Sequence, residues 1–381
     1  LEFHFAFATR QVEAQPGFIV GPIAQLFGFL INILFNLIYA IGPAHSLGFA
    51  IILLTLIFRA LMLPLSLKSQ KSMMKMRELK PELDKIQEKY GKTKDPELIR
   101  KANAERQALM AKHGANPLSG CLPMLIQMPL FFGIAFIMRQ TFLYINVLRN
   151  MYYDLSAALI RAPGILTRTG EGESAFEYFA RQFIPNNIIQ NNTQAWQILQ
   201  ARGLWYERTA DQLNQVISEV GDVLFLGMPE HLSRVISRFN MEDWAYVYRY
   251  IPADHLPNIE YMVGNLRQIE TFFGLHVVEN GGWSWPGILI PVLVAVTMFM
   301  SSWLMQLRTF DPNADDRTKM TQKIMLFAMP LMMAFFTVNF PVGVGIFWIS
   351  SQVFQVATDL VLLKKAGIKI SLPGMKPADG K

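Results

Sequence analysis

Arg59 stands in the middle of LGFAIILLTLIFRALMLPLSL, Leu47 to Leu67, a run apolar enough to lie in a lipid bilayer. Taking an arginine out of water at the centre of a span costs about 2.5–3.5 kcal/mol on insertion-derived scales, so an intramembrane guanidinium marks a pairing, a ligand or water. About nine residues separate it from Lys68, which places it about 13 Å along a helix from the nearest basic residue and beyond easy reach of the surface. A buried carboxylate is the ordinary partner, yet no Asp or Glu lies inside the apolar runs of this chain; Asp359 comes near the end of the last one. An arginine without an acid implies a hydrated site. The second polar residue of this kind is Gln127, in NPLSGCLPMLIQMPLFFGI, Asn116 to Ile134, where Pro117, Pro123 and Pro129 also free backbone carbonyls. An amide and a guanidinium facing lipid would both be costly; facing each other across a wet cavity they are not.

Catalytic chemistry has no comparable signal. The six histidines never fall at H-x-x-H or H-E-x-x-H spacing, and the one cysteine, Cys121, excludes a disulfide framework and a multi-cysteine metal site. There is no G-x-S-x-G and no pair of intramembrane aspartates. The sequence calls for no cofactor.

The elements that must hold Arg59 and Gln127 follow from composition. Hydrophobic residues make up 52% of the 381 residues, charged residues only 17%, and mean hydropathy is +0.25. Soluble domains carry about a quarter charged residues, so the chain is a membrane protein. Five runs are long and apolar enough to span: 47–67, 122–143, 284–307, 324–340 and 342–363, the last two joined by the tight turn NFPVG. A sixth, Phe18 to Ile41, carries Gln25, Asn32 and Asn36 on one helical face, which favours a helix lying in the interface; an ordinary span with three tolerated amides is the alternative. No secretory signal precedes Phe18 in the given sequence, and no cysteine near the start suits a lipid anchor.

Lysine and arginine set the orientation. A dense basic run from Lys68 to Lys112 follows the first span, whereas no lysine occurs between Lys112 and Lys319. The expected order is an outside segment 1–46, a cytoplasmic segment 68–121, an extracytoplasmic insertion 144–283, a cytoplasmic loop 308–323 and a basic cytoplasmic tail 364–381. The net charge of +6 is thereby polarised across the membrane and needs no nucleic acid to explain it. In 68–121, Met76, Leu79, Leu83, Ile86 and Tyr90 form one seam of a helix kinked at Pro81; Asp95 and Pro96 then open a second helix, giving a hairpin. Its lysines and arginines, Lys71, Lys75, Arg77 and Lys80 among them, read either as a solvated face that fixes topology or as a docking surface. The insertion predicts soluble helices over Thr209–Phe225, Glu230–Tyr248 and Asn258–Phe273, with Trp196, Trp205, Trp244, Tyr246, Tyr248 and Tyr250 in its core or on the headgroup layer. Glu171, Glu173 and Glu177 near Arg181 read as an exposed acidic face rather than a metal site.

Three stretches together carry a resemblance: TLIFRALMLPLSLKSQKSMMKMRELKPEL (Thr55–Leu83), NPLSGCLPMLIQMPLF (Asn116–Phe131) and DDRTKMTQKIMLFAMPLMMAFFTVNFPVGVGIFWISS (Asp315–Ser351). The chain resembles the YidC/Oxa1/Alb3 family of membrane protein insertases over about Phe18–Met138 and Phe273–Lys365. The resemblance implies an all-α integral membrane protein: five transmembrane helices around a hydrophilic groove, an interfacial N-terminal helix and a cytoplasmic helical hairpin, with a helical extracytoplasmic insertion as this chain's addition. It implies that Arg59 is the groove's positive charge, with Thr55 one turn earlier, Gln127 on the second span and Trp348 on the fifth. The implied activity is non-catalytic insertion and folding of nascent membrane proteins in the plasma membrane of a bacterium. Implied partners are the lipid bilayer and, beyond the substrates, the ribosome, the signal recognition particle pathway and a Sec translocon; no nucleic acid is bound directly. Two departures stand out: few residues precede Phe18, as in short Gram-positive or organelle forms, and Asn146–Thr271 has no recognisable counterpart. The competing reading is a small-solute transporter or channel with an anion-attracting groove, which should show inverted repeats or rings of charge; neither is found in the sequence.

Overall fold

A computed structural model describes residues 20–90, 95–114, 122–162, 229–237, 239–309, 320, 323–365 and 367. The fold is all-α. The helices are α1 (Val20–Ile41), α2 (Ser46–Glu78), α3 (Lys80–Tyr90), α4 (Pro96–Lys112), α5 (Leu122–Met138), α6 (Thr141–Tyr144), α7 (Asn146–Arg161), α8 (Pro229–Ile236), α9 (Met241–Tyr248), α10 (Leu256–Glu270), α11 (Leu289–Thr309), α12 (Met329–Thr337) and α13 (Val342–Lys365). Strands β1 (Thr271–Phe272) and β2 (Leu275–His276) pair antiparallel. Four described helices are long and apolar enough to cross a membrane, over Gly21–Ile41, Ser46–Ser72, Leu289–Leu307 and Val342–Lys365, and Gln127–Met138 and Ile324–Thr337 are shorter apolar helices.

The chain forms two compact units. The first holds residues up to Ala50 and Gly133–Glu279. In it, Ala24, Phe27, Ile31 and Phe35 form the buried stripe of α1, and the Asn32 side chain accepts the Asn146 N–H (2.9 Å) at the start of α7. The outward face of α1 carries Leu26, Phe29, Ile33 and Leu37 beside the exposed Gln25 and Asn36. α7 packs on α8 and α10, burying Leu148, Leu155, Leu159, Leu232, Ile236, Ile259, Val263 and Leu266.

The helix expected over Glu230–Tyr248 is two helices. The first ends at Ile236, and Asn240 caps the second: its side chain accepts the N–H groups of Glu242 and Asp243 while Asp243 accepts the Asn240 N–H, a capping box. Trp244 is in the core, against Phe239 (5.2 Å) and Tyr248 (5.9 Å). The helix expected over Asn258–Phe273 runs from Leu256 to Glu270 and gives way to the β1–β2 hairpin. The hairpin turns on Phe273 (φ 47°) and Gly274 (φ 83°), the two positive φ values of a type I′ turn. The expected helix Thr209–Phe225, Trp196, Trp205 and the acidic cluster with Glu171, Glu173, Glu177 and Arg181 lie outside the described residues.

The second unit holds Ile51–Phe132 and Asn280 onward. α2 is one helix of 33 residues, about 50 Å long, well beyond the hydrocarbon thickness of about 30 Å. A turn at Leu79 separates it from α3, with Pro81 in the first turn of α3, so the expected kink is a break between helices. α3 and α4 pair, and Asp95 caps α4 by accepting the Glu97 N–H (2.9 Å). α5 ends at Met138, short of the expected Leu143. α11 packs on α12 and α13; Gly345 makes this possible, because a Cβ there would collide with Ile290. Ahead of α12, Ile324–Ala328 is a π segment in which the Met329 N–H reaches the Ile324 carbonyl. Pro330 has no N–H to continue an α ladder, and the register shifts before it.

Candidate functional site

Thr55 and Arg59 lie one turn apart on α2. Thr55 is fully buried and its hydroxyl donates to the Ile51 carbonyl (2.6 Å), which settles its polarity within the helix. Arg59 is half-buried and makes no ion pair and no hydrogen bond among the described residues. On α5, Gln127 is half-buried, and Phe131 follows one turn later. Phe131 is buried and receives Trp348 edge-on at 5.2 Å, with Phe340 at 5.1 Å and Phe336 at 6.1 Å. Trp348 is therefore brought to the part of α5 that carries Gln127. No hydrogen bond or ion pair joins Arg59 or Thr55 to Gln127 or Trp348 among the described residues.

Sequence reasoning stopped at Trp348 on α13, but the polar face continues. Trp348, Ser351, Gln355 and Asp359 recur at spacings of three and four on an apolar helix, a signal legible in the sequence. Trp348 Nε1 and Ser351 Oγ are buried without a hydrogen-bond partner among the described residues, and Gln355 Nε2 donates to Asp359 Oδ1 (3.0 Å). Asp359, near the end of α13 as expected, is completely buried. Two orphaned buried donors on one face each forfeit about 1–3 kcal/mol unless water or a bound chain meets them.

Among the hairpin residues, Lys71 and Lys75 are exposed, and Lys75 Nζ donates to the His113 carbonyl (3.3 Å). An exposed Lys89–Glu105 ion pair (2.9 Å) links α3 to α4. The side chains of Arg77 and Lys80 lie outside the described residues.

A second polar cluster, which the sequence reading missed, lies in the first unit. Tyr152 on α7 donates to Glu270 Oε2 (2.8 Å) at the end of α10. His276 Nε2 lies 3.6 Å from that oxygen, His276 Nδ1 3.3 Å from Glu279 Oε1, and Arg267 Nη2 3.3 Å from the same Glu279 oxygen. Burial pushes Glu270 up to about 8, against the opposing pull of the Tyr152 hydrogen bond and Arg267. Burial, with Arg267 acting in the same direction, pushes His276 down to about 3. Both are neutral near pH 7, and Tyr152 is raised further, burial first and Glu270 second. Among the described residues no group of three or more His, Cys, Asp or Glu could hold a metal ion.

Residues 38–180 and 244–369 match the model of one family, described as 60Kd inner membrane protein. The chain belongs to this family. It is the YidC/Oxa1 family of the resemblance, and its relatives bear that out: the chain is 41% identical over 113 residues to the membrane protein insertase YidC 1 of Bacillus anthracis, covering 28% of this chain and 44% of the relative. It is 36% identical over 124 residues to the membrane protein insertase MisCA of Bacillus subtilis (32% and 44%). Against the membrane protein insertase YidC of Helicobacter pylori it is 49% identical over 87 residues (23% and 15%). Each alignment thus spans less than half of the relative's length. The family match corrects one expectation: it enters Asn146–Thr271 from both sides, to 180 and from 244, so 181–243 is the stretch without a counterpart in the family model. With its apolar helices, the chain is a multi-pass bacterial membrane protein of the YidC/Oxa1 family.

Proposed function

We propose that this protein is a membrane protein insertase whose unpaired Arg59 sits in a hydrated, cytoplasm-open groove lined also by Thr55, Gln127, Trp348 and the polar face of α13. The observation that carries the reading is Arg59, a guanidinium in an apolar helix with neither an acid nor a hydrogen-bond partner among the described residues. Trp348 Nε1 and Ser351 Oγ, buried and without a partner among the described residues, support it, because such donors call for water or a passing chain. The relatives' names supply the activity.

In this mechanism the positive charge draws the polar or acidic flank of an entering segment into the groove. The flank's path through hydrocarbon is shortened, and the apolar part leaves along a lipid-facing surface such as that of α12 and the π segment before it, where Met325, Met332 and Phe335 are exposed. No covalent step is needed. The end of α2 with Lys71, Lys75 and Arg77, and the α3–α4 hairpin that begins at Lys80, face the cytoplasm and meet the ribosome or a targeting factor, and the segment between α6 and α11 lies outside. The α1 helix lies at the outer interface, outside the five-helix core.

Proteoliposomes test this. With a single-span substrate bearing an acidic outer tail, Arg59→Ala lowers the insertion rate about tenfold, equivalent to about 1.4 kcal/mol; Arg59→Lys retains most of it. Equal rates for the alanine variant and the unaltered protein would remove the electrostatic part of the proposal. Anion uptake that depends on Arg59, without substrate insertion, would favour a transporter instead.

A further inference from the structure

At the β1–β2 turn the chain holds a large aromatic residue in a backbone conformation that disfavours it. Phe273 has φ 47°, where turns of this type take Asn, Asp or Gly, and its side chain is 74% exposed. An exposed phenylalanine gains nothing from water, so its position has to be read from what surrounds it.

The turn is fastened to the start of α2. His45, itself at φ 61°, donates its backbone N–H to the Gln268 carbonyl (3.1 Å), and its Nδ1 is hydrogen-bonded to the Thr271 carbonyl. The His45 ring stacks on Phe273 at 5.6 Å and 17°. Phe272 packs edge-on against Phe49 at 5.2 Å and over Gly48, where a Cβ would collide with its ring. These contacts fix the height of the turn. Ser46 begins a helix long and apolar enough to cross a membrane, and Phe49, 43% exposed, lies in its first turn. Phe273 thus lies beside the end of a helix long and apolar enough to cross a membrane, where a spanning helix would meet the boundary of the hydrocarbon, and Ile41, 89% exposed, ends the apolar helix on the other side of the same loop. Aromatic side chains are favoured at that boundary, with their rings between headgroups and acyl chains.

We propose that the β1–β2 turn is a lipid anchor: Phe273, with Phe49 beside the hairpin, inserts into the bilayer interface and holds the α7–α10 layer against the membrane surface. The occupant is phospholipid. The proposal rests on membrane residence alone and not on insertase activity, so either can fail without the other.

The test uses the full chain in phosphatidylcholine–phosphatidylglycerol vesicles, with Phe273→Cys in a Cys121→Ser background labelled with an environment-sensitive nitrobenzoxadiazole probe. Expected are a blue-shifted emission and quenching by lipids carrying a nitroxide high on the acyl chain, with little quenching by aqueous iodide. Iodide quenching without nitroxide quenching overturns the proposal. Because the labelled variant could misfold, benzoyl-phenylalanine at position 273 provides a second reading after irradiation. A phospholipid adduct supports the anchor, whereas an adduct only to protein, from a second copy or a partner, or no adduct at all, overturns it.

Discussion

Arg59 and Glu270 are both ionisable groups set back from bulk solvent, Arg59 half-buried and Glu270 wholly buried. Glu270 is neutral: its carboxyl has a tyrosine hydroxyl on one oxygen, and burial raises it to about 8 from an ordinary 4.5. His276 is neutral for the same reason, lowered to about 3 from 6.5. Stability linkage follows from these directions. Between about 4.5 and 8 the folded state holds a proton on Glu270 that the unfolded chain has released, so this group's contribution falls as pH rises. Between about 3 and 6.5 the unfolded chain protonates a histidine that the folded state keeps neutral, so that contribution rises with pH. The two oppose each other from about 4.5 to 6.5, leaving a gain below that window and a loss from about 6.5 to 8. The other titratable groups facing the cluster, Arg267, Glu279, the neutral Tyr152 and Asp243 from α9, moderate these slopes. Thermal unfolding followed by near-ultraviolet dichroism in detergent should show that plateau, and Glu270→Gln should abolish the decline above it. Tyr152→Phe leaves a carboxyl oxygen unmet in the core and should destabilise this unit by about 1–3 kcal/mol in denaturant titrations.

Elements were legible where the sequence signal was long and periodic. The apolar runs became α2, α11 and α13, and Asp95–Pro96 opened α4 as read. What failed was decided by local chemistry that hydrophobic periodicity does not see. Asn240 and Asp243 split one expected helix because side-chain acceptors offered the backbone a new start. Phe273–Gly274 reversed the chain after Glu270 although a phenylalanine there reads as helix or strand. Pro330 converted the start of the fourth apolar run into a π segment. The capping box gives a direct check: Asn240→Ala should cost about 1 kcal/mol and appear as faster hydrogen exchange at Glu242 and Asp243 with α11–α13 unaffected. At the site, Thr55, Arg59, Gln127 and Trp348 were named from residue type and resemblance. The continuation through Ser351, Gln355 and Asp359 was present as spacing but was masked by the apolar average of the helix.

For the whole molecule, orientation is the reading that composition carries furthest. Thirteen basic residues from Lys68 to Lys112, against none but arginine from Arg139 to Arg308, predict which ends face the cytoplasm. Single cysteines replacing Lys92 and Gln200 in a Cys121→Ser background should react with an impermeant maleimide from the cytoplasmic and the outer side respectively; reversed labelling would overturn the topology. A cysteine replacing Val12 decides how α1 sits. Labelling from outside fits the interfacial helix, and labelling from the cytoplasm makes α1, with its apolar outward face, a sixth span.

The central claim is that Arg59 acts through its charge on the flank of an entering segment, and a charge exchange measures this most directly. Insertion of a single-span substrate is followed with the unaltered protein and with Arg59→Glu, each with an acidic and a basic outer tail. Arg59→Glu should impair insertion with the acidic tail, and reversing the tail should restore it, a coupling of about 1–3 kcal/mol between residue 59 and the tail. Equal loss for both tails, with no coupling, would contradict it.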